Sequence, residues 1–337
     1  MAERIKFAVV GFGHIGKRHA AMIRANSECE LVAVCDVNEK QAGNDIENVP
    51  FFHSVDVLLD SMAMPDVVCI ASPNGLHEEQ ALKALQKGHH VVIEKPMAIS
   101  KEGCEKLLYE ALHQHKLIFC VMQNRYSPPS EWLKDLLRQN RLGKIFMVQT
   151  NCYWNRDERY YTKGNWHGTQ ELDGGTLFTQ FSHFIDIMYW LFGDITNINA
   201  RFNDFNHAGL TEFEDSGFVT FDFIKGGMGC LNYSTSVWNN NLESSITIIA
   251  ENGTVKVGGQ YMNVVEACNI RDYVMPELPP SNPPNDYGPY KGSAANHHYI
   301  FENVVDVLKG RAPITTNALE GLKVVEIIER IYKLKKG

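Results

Sequence analysis

The sequence lacks the marks of several large protein classes. Its eight cysteines form no C-x-x-C pair, which removes the commonest zinc-ribbon and thiol-redox patterns. Cys35, Cys69 and Cys120 fall in apolar, strand-like runs, where a small buried thiol is the simplest reading. Positive charge is scarce: 32 Lys and Arg against 40 Asp and Glu give a net charge of −8. That balance argues against a general nucleic-acid or anionic-membrane surface. No apolar run approaches the ~18 residues needed to span a bilayer. Histidine pairs occur at His89-His90 and His297-His298. Adjacent side chains point apart, however, and no cysteine or carboxylate cluster completes a ligand set, so no metal is expected. The first strand is expected at Ile5, leaving no room for a targeting segment. With reduced thiols, that reading expects a cytoplasmic protein.

What is present is organised around residues 5–36. Ile5-Lys6-Phe7-Ala8-Val9-Val10 reads as a buried strand, and Gly11-Phe12-Gly13-His14-Ile15-Gly16 follows at once. A helical stretch from Lys17 to about Asn26 comes next, then a second apolar strand, Leu31–Cys35, that delivers Asp36. Gly11 permits the tight turn, Gly13 lets a pyrophosphate approach the backbone, and Gly16 lets helix and strand pack closely. The helix N-terminus supplies N–H groups and partial positive charge. Asp36 stands where a carboxylate accepts from the adenosine ribose hydroxyls and repels a 2′-phosphate. The pattern therefore expects NAD rather than NADP.

Beyond Asp36 strands and helices alternate: Val67–Ile70, a helix over 76–87, His90–Ile93, a helix over 101–114, and Leu117–Val121. That rhythm means a doubly wound parallel sheet, whose ligands bind outside the carboxyl ends of the strands. Ser72, Asn74, Glu94 and Lys95 fall on that rim with the glycine turn.

The amino-terminal G-x-G-x-x-G, the segment Ala71-Ser72-Pro73-Asn74 followed by His77, and Glu94-Lys95-Pro96 together resemble the glucose–fructose oxidoreductase and inositol dehydrogenase family. The resemblance covers nearly the whole chain. It implies a Rossmann domain over residues 1–123. A substrate-binding and oligomerising α+β domain over 124–337 would follow, built on a large, mostly antiparallel open sheet. The C-terminal helices belong to that second domain or pack back on the first. It further implies that Lys95 lies by the nicotinamide, that the Lys95-Pro96 bond is cis, and that Pro73, His77 and Gln123 join the cofactor site. A homo-oligomer, dimer or tetramer, is the expected assembly.

After Val121 the pattern changes. Gln123-Asn124-Arg125-Tyr126 precedes a helix from Pro128 to about Arg138, and strand-like runs follow at 145–150, 195–202, 217–223, 228–237 and 243–249. Short strands with turns such as Lys225-Gly226-Gly227 suit an antiparallel meander. Residues 151–167 gather Tyr153, Trp154, Arg156, Arg159, Tyr160, Tyr161, Lys163, Trp166 and His167. In an acidic chain, that cluster suits a pyrophosphate and a ring-bearing ligand. Asp173-Gly174-Gly175 then enters a helix expected over 176–191, with Thr179 and His183 on one face and Asp186 a turn further. Residues 258–295 hold six of the thirteen prolines. They read as a long irregular excursion outside the core. Helices near 296–309 and 317–334 close the chain.

The family pattern puts a catalytic histidine at His183 and often an aspartate four residues earlier, where this chain has Thr179. The order of Gln123-Asn-Arg-Tyr, Arg156-x-x-x-Tyr160-Tyr161, Asp173-Gly-Gly…Gln180-x-Ser-His183 and Asn241-Leu-Glu-x-Ser-Ile-Thr-Ile is similar to one branch. That branch comprises UDP-N-acetyl-2-amino-2-deoxyglucuronate dehydrogenases, which oxidise the sugar at C3 during surface-polysaccharide synthesis. The resemblance implies that Lys95, Arg125, Arg156, Tyr160, Tyr161, Trp166, Thr179, Gln180 and His183 meet the substrate. A lysine base must fall from ~10.4 to near 7, whereas a histidine starts at ~6.5. His183 is therefore the expected base and Lys95 the cation that steadies the alkoxide. The rival readings are an inositol or free-sugar dehydrogenase, an NAD-dependent glycosidase, and a non-catalytic NAD sensor.

Overall fold

The computed structural model describes residues 3–39, 43–46, 48–162 and 164–335. The chain divides into two compact units, Met1–Met122 with His297–Val325, and Gln123–Asn296 with Glu326–Gly337.

In the first unit β1 (Ile5–Val10), α1 (His14–Ala25), β2 (Cys29–Cys35), β3 (Phe51–Phe52), α2 (Val55–Leu59) and β4 (Val67–Ile70) are followed by α3 (His77–Gln86), β5 (His90–Ile93), α4 (Lys101–His113) and β6 (Ile118–Cys120). The six strands form one sheet in the order β3-β2-β1-β4-β5-β6. Every neighbouring pair is parallel. Such a sheet is covered on both faces, so its strands read as continuous apolar runs rather than alternating ones. Phe7, Val9, Val67, Ile70, Val91 and Ile93 are accordingly buried without remainder. Helix α4 starts where Ser100 accepts a hydrogen bond from the Gly103 N–H at 3.0 Å. The strand order reverses between β1 and β4, and in sheets of this kind ligands bind outside the carboxyl ends of the strands at such a reversal. Helix α1 begins three residues before the expected Lys17. Gly16 sits inside its first turn because no side chain fits there.

The second unit holds α5 (Pro128–Arg138), β7 (Ile145–Tyr153), α6 (Thr176–Thr179), α7 (Ser182–Phe192), β8 (Ile195–Asn203), β9 (Ser216–Phe223) and β10 (Met228–Ser234). They are followed by β11 (Glu243–Ala250), β12 (Gly253–Gly258), β13 (Val264–Ile270), β14 (Pro284–Asp286) and β15 (Lys291–Ala294). Seven strands pair in the order β13-β12-β11-β7-β10-β9-β8. All pairs are antiparallel except β7 with β10, which run parallel, so the sheet is mostly antiparallel, as expected, with its meander interrupted at that one pair. The sheet's inner face, with Val148, Cys152, Val219, Phe221, Leu231, Ile246 and Ile248, is buried. Trp154 meets both Phe181 and Phe184 with ring centroids 5.6 Å apart, and Phe181 meets Tyr233 at 5.7 Å. Burying such a ring contributes about 1.5–3 kcal/mol.

Two expectations are corrected here. The helix read as continuous from Thr176 is two helices, broken at Gln180-Phe181, where Phe181 leaves helical geometry at φ −117°, ψ 4°. The ring of Phe181 is drawn into the core and the amide of Gln180 towards Arg156 and Tyr160. The segment 258–295 is not irregular throughout, because Val264–Ile270 adds an edge strand to the sheet and β14 pairs with β15. Ser293 and Ala294 of that hairpin are buried. Helices α8 (His297–Leu308) and α9 (Ala318–Tyr332) follow. Among the described residues, no helix is long and apolar enough to cross a membrane.

Candidate active site

In the first unit the glycine turn is shaped by close approach. Gly11 has φ +84°, and a Cβ there would lie 2.5 Å from the Ser72 nitrogen. A Cβ on Gly16 would lie 1.8 Å from the Gly11 carbonyl oxygen, so helix and strand meet only because that position is glycine. Gly13 caps α1 without a side-chain hydrogen bond, the arrangement in which a helix N-terminus takes an anion. The Phe12 side chain is buried, His14 is exposed and Ile15 is half-buried. Asp36 is fixed across the turn: Oδ2 accepts from the Phe12 N–H at 2.6 Å and Oδ1 from the Asn38 N–H at 2.8 Å. Cradle, helix terminus and acid thus fit a dinucleotide.

Along the rim, Ser72 Oγ donates to Gln80 Oε1 at 2.6 Å, Pro73 continues the loop and Asn74 is buried. His77 was expected against the cofactor. It is fully buried behind the rim, with Nδ1 2.8 Å from the Pro96 carbonyl oxygen and Nε2 2.9 Å from that of Ser72. It braces two rim loops, and burial pushes its pKa down. The Lys95-Pro96 bond is cis. Lys95 is half-buried, and its backbone N–H donates to Glu94 Oε2 at 3.2 Å.

Glu94 itself is buried between two histidines. Its Oε1 lies 3.0 Å from His19 Nε2 and 3.6 Å from His297 Nε2. Burial alone would raise its pKa, but the hydrogen bond with His19 and the neighbouring His297 imidazole hold it well below the usual carboxylate range. Burial pushes the His297 pKa down, against the opposing pull of the Glu94 carboxylate. The expectation that no carboxylate accompanies a histidine pair is therefore corrected: these three ligand atoms lie within 4.8 Å of one another. Sequence reasoning missed His19. Its signal was legible, since Gly16, His19, Ala20 and Ile23 share the buried face of α1.

In the second unit His183, near the start of α7, is buried, with Nε2 3.2 Å from Gln123 Nε2. Arg125 was expected at the substrate. It is buried in a two-pronged pair with Asp186, Nε to Oδ2 at 2.9 Å and Nη2 to Oδ1 at 2.6 Å, which ties it to α7. Thr179 donates through its hydroxyl to the Asp173 carboxylate, whose Oδ2 accepts the Gly168 N–H at 2.8 Å. Asp173, read as a mere helix entry, thus brings a buried carboxylate to Thr179.

The cation cluster is rearranged from its expected form. Arg159 is neutralised by Asp157 at 2.7 Å, and Lys163 lies outside the described residues. Arg156 is 2% exposed, and among the described residues it donates to neutral acceptors: Gln180 Oε1, the Asn155 and Lys291 carbonyls, and Asn241 Oδ1. Its guanidinium carbon lies 4.8 Å from the ring centre of Trp154, 5.2 Å from that of Tyr160 and 5.1 Å from that of Tyr290. Burial pulls its pKa down. Tyr160 and Tyr161 are also buried, Tyr160 accepting from Gln180 Nε2 at 2.9 Å. Trp166 is half-buried and stacks on His167 at 3.8 Å.

Residues 5–122 match the model of the oxidoreductase family with an NAD-binding Rossmann fold, and residues 131–256 match that of the GFO/IDH/MocA C-terminal domain. The structure superposes on the WlbA dehydrogenase from Bordetella pertussis, solved with NADH and UDP-GlcNAcA. The TM-score is 0.88 and identity 31%, covering 98% of this chain and 96% of that one. This chain belongs to the Gfo/Idh/MocA family. The WlbA dehydrogenase from Chromobacterium violaceum, solved with the same two molecules, gives TM-score 0.88 and 29% identity over 99% of this chain and 94% of that one. Glucose-6-phosphate 3-dehydrogenase of Bacillus subtilis is 27% identical over 84% of this chain and 83% of its own length. The protein is thus an NAD-dependent dehydrogenase of sugars or polyols, acting on a CH–OH group.

Proposed function

We propose that this Gfo/Idh/MocA enzyme oxidises the C3 hydroxyl of a UDP-linked, N-acetylated uronic acid sugar during surface-polysaccharide synthesis. The observation that carries this reading is the likeness, over nearly the full length of both chains, to two dehydrogenases solved with UDP-GlcNAcA. Arg156 supports it, being a buried cation without a carboxylate partner among the described residues, as an anionic ligand would require. A neutral polyol would have no use for it.

Bound NAD supplies the hydride acceptor. The chain's own part is to position the sugar and move the hydroxyl proton. In this reading His183 takes the proton, and Gln123, whose amide nitrogen lies 3.2 Å from its Nε2, orients the ring. Lys95, at the end of β5, steadies the negative charge that develops on oxygen. Glu94 orients the Lys95 backbone from behind, and the Arg125–Asp186 pair holds the register of α7. Tyr160, Tyr161, Trp166, Thr179 and Gln180 complete the sugar site. Ser72, Asn74 and the glycine turn hold the dinucleotide, with Asp36 on the adenosine ribose.

A homo-oligomer in the cytoplasm belongs to the same proposal. Its supports are the open face of the large sheet, where Met147, Phe218, Met228 and Ile249 are exposed, and buried thiols such as Cys35, pushed up to about 12. The decisive experiment titrates protein and NAD with UDP-N-acetylglucosaminuronic acid while following NADH absorbance and fluorescence. Signal comparable to the number of sites is expected. Signal only with the uncharged UDP-sugar or a free polyol would overturn the substrate assignment.

A further inference from the structure

A guanidinium can only donate, so Arg156 fixes the polarity of whatever it meets. Its Nε donates to Gln180 Oε1 at 2.7 Å, Nη1 to the Asn155 carbonyl at 2.6 Å and Nη2 to the Lys291 carbonyl at 3.1 Å. The arginine thereby decides which way the buried Gln180 amide faces. An amide nitrogen turned towards Nε would set donor against donor, so the oxygen lies there and the nitrogen is left for Tyr160. That nitrogen, Nε2, donates to the Tyr160 hydroxyl oxygen at 2.9 Å.

A phenol that accepts on one side still has its own proton to give. Among the described residues the Tyr160 hydroxyl accepts the Gln180 bond and donates none. Burial pushes its pKa well above the ordinary tyrosine value, so the proton stays in place. Exposure rises from 2% at Arg156 through 4% at Gln180 to 8% at Tyr160, so the relay runs from the interior outwards. We propose that Tyr160 donates a hydrogen bond to an anionic oxygen of the sugar nucleotide, with Gln180 and Arg156 as the positioning residues that set its polarity. This rests on the reading of the substrate as a UDP-linked uronic acid.

The sign of the ligand follows from the surroundings. The Arg156 guanidinium carbon lies 5.2 Å from the Tyr160 ring centre. Its acceptors among the described residues are neutral, so no adjacent carboxylate cancels that charge. Asp173, the anion near Tyr160, is bound by the Thr179 hydroxyl and by the Gly168 N–H. Two parts of such a substrate carry anionic oxygen, the uronate carboxylate and the diphosphate.

The test measures by calorimetry how tightly the full-length enzyme with NADH binds UDP-N-acetylglucosaminuronic acid and UDP-N-acetylglucosamine, whose sugar is uncharged. Tyr160→Phe keeps the ring and should weaken binding of the uronate about 10–100-fold, as loss of a hydrogen bond to a charged group implies. A loss confined to the uronate assigns the bond to its carboxylate, and the same loss with both nucleotides assigns it to the diphosphate. Gln180→Met should weaken uronate binding about 3–10-fold, but less than about twofold in a Tyr160→Phe background, because it acts through that hydroxyl. Wild-type affinity in folded Tyr160→Phe overturns the proposal, and this arm decides alone if Gln180→Met does not fold. An equal cost of Gln180→Met in the two backgrounds also overturns it, since a merely structural glutamine behaves that way. A wild type that binds neither nucleotide overturns the substrate reading, and this inference with it.

Discussion

Glu94 Oε1 lies 3.0 Å from His19 Nε2, and this one contact joins the end of β5 to the helix that opens on the glycine turn. The strand end that presents Lys95 and the helix that faces the dinucleotide are therefore registered by a buried charge and an imidazole. His297 from α8 completes the enclosure at 3.6 Å. Removing the charge while keeping the shape isolates what it does. Glu94→Gln should lower stability by about 1–3 kcal/mol in urea unfolding at pH 7, since one buried hydrogen-bond acceptor is weakened. It should also raise the KM for NAD more than that for the sugar. A variant with wild-type KM for NAD would show that the contact serves the fold alone.

Glu94, its neighbour His297 and the rim's His77 together set an acid slope. His297 and His77 are held below the usual histidine value of 6.5, and Glu94 well below 4.5. In each case the unfolded chain binds the proton before the native chain does, so stability is full at higher pH and falls on acidification. The histidines begin to act as pH drops below about 6.5, and Glu94 adds its loss below about 4.5. The urea midpoint should therefore be lower at pH 5.5 than at pH 7.5, and His297→Gln should flatten that difference. An unchanged slope in the variant would assign the effect elsewhere.

Asp36 gives a prediction about cofactor choice. Its carboxylate is fixed by the Phe12 and Asn38 N–H groups, so it cannot swing away from a 2′-phosphate. Asp36→Ser removes the repulsion and leaves a small hydroxyl. The kcat/KM ratio of NAD to NADP should fall by about 10–100-fold, as expected when roughly 1.4–2.7 kcal/mol of discrimination is lost. A ratio that stays at the wild-type value would place discrimination at another residue.

Much of this was legible in the sequence where backbone geometry and residue type are tightly coupled. Gly11 and Gly16 admit no side chain, and the strands of a parallel sheet must be apolar throughout, so the glycine turn and the strands β1, β2, β4, β5 and β6 were legible, whereas the short β3 and α2 between Asp36 and Val67 were not read. The family likeness carried the cis Lys95-Pro96 bond, which nothing in the local sequence announces. What stayed hidden depends on tertiary company. Arg125 and Asp186 stand sixty-one positions apart, so no spacing rule pairs them, and an arginine beside a substrate motif reads as a ligand contact. His19 is one of thirteen histidines until the fold brings Glu94 against it. The break at Gln180-Phe181 escaped because an apolar run of helical period looks continuous until the Phe181 ring is claimed by Trp154 and Tyr233. The strand Val264–Ile270 escaped because the prolines that follow it dominated the reading.

The Arg125–Asp186 pair makes a sharp energetic test because both side chains are about 1% exposed. Arg125→Met leaves a carboxylate buried without its partner and should cost about 3–5 kcal/mol, as should Asp186→Leu. The double variant Arg125→Met with Asp186→Leu removes both charges together and should recover most of that loss. Chemical unfolding of the four proteins measures the coupling. Additive losses would mean that the two side chains act independently despite their contact.

The division of labour between Lys95 and His183 yields the last prediction. If His183 accepts the hydroxyl proton, His183→Ala loses the chemical step while NAD still binds, because the dinucleotide cradle is built from the first unit's own residues. General-base catalysis typically contributes 10²–10⁴-fold, so kcat should fall by about that factor with the Kd for NAD within twofold of wild type. Lys95→Met should also lose kcat. Its residual rate should keep the acid limb of the pH profile, since the titrating imidazole is still present. His183→Ala should lose that limb, leaving a rate that rises with hydroxide across the measured range. The pair of profiles separates the roles in a way that the loss of rate alone cannot. If the limb vanished with Lys95 and survived without His183, the lysine would be the base and its ammonium would have to be brought down by several units.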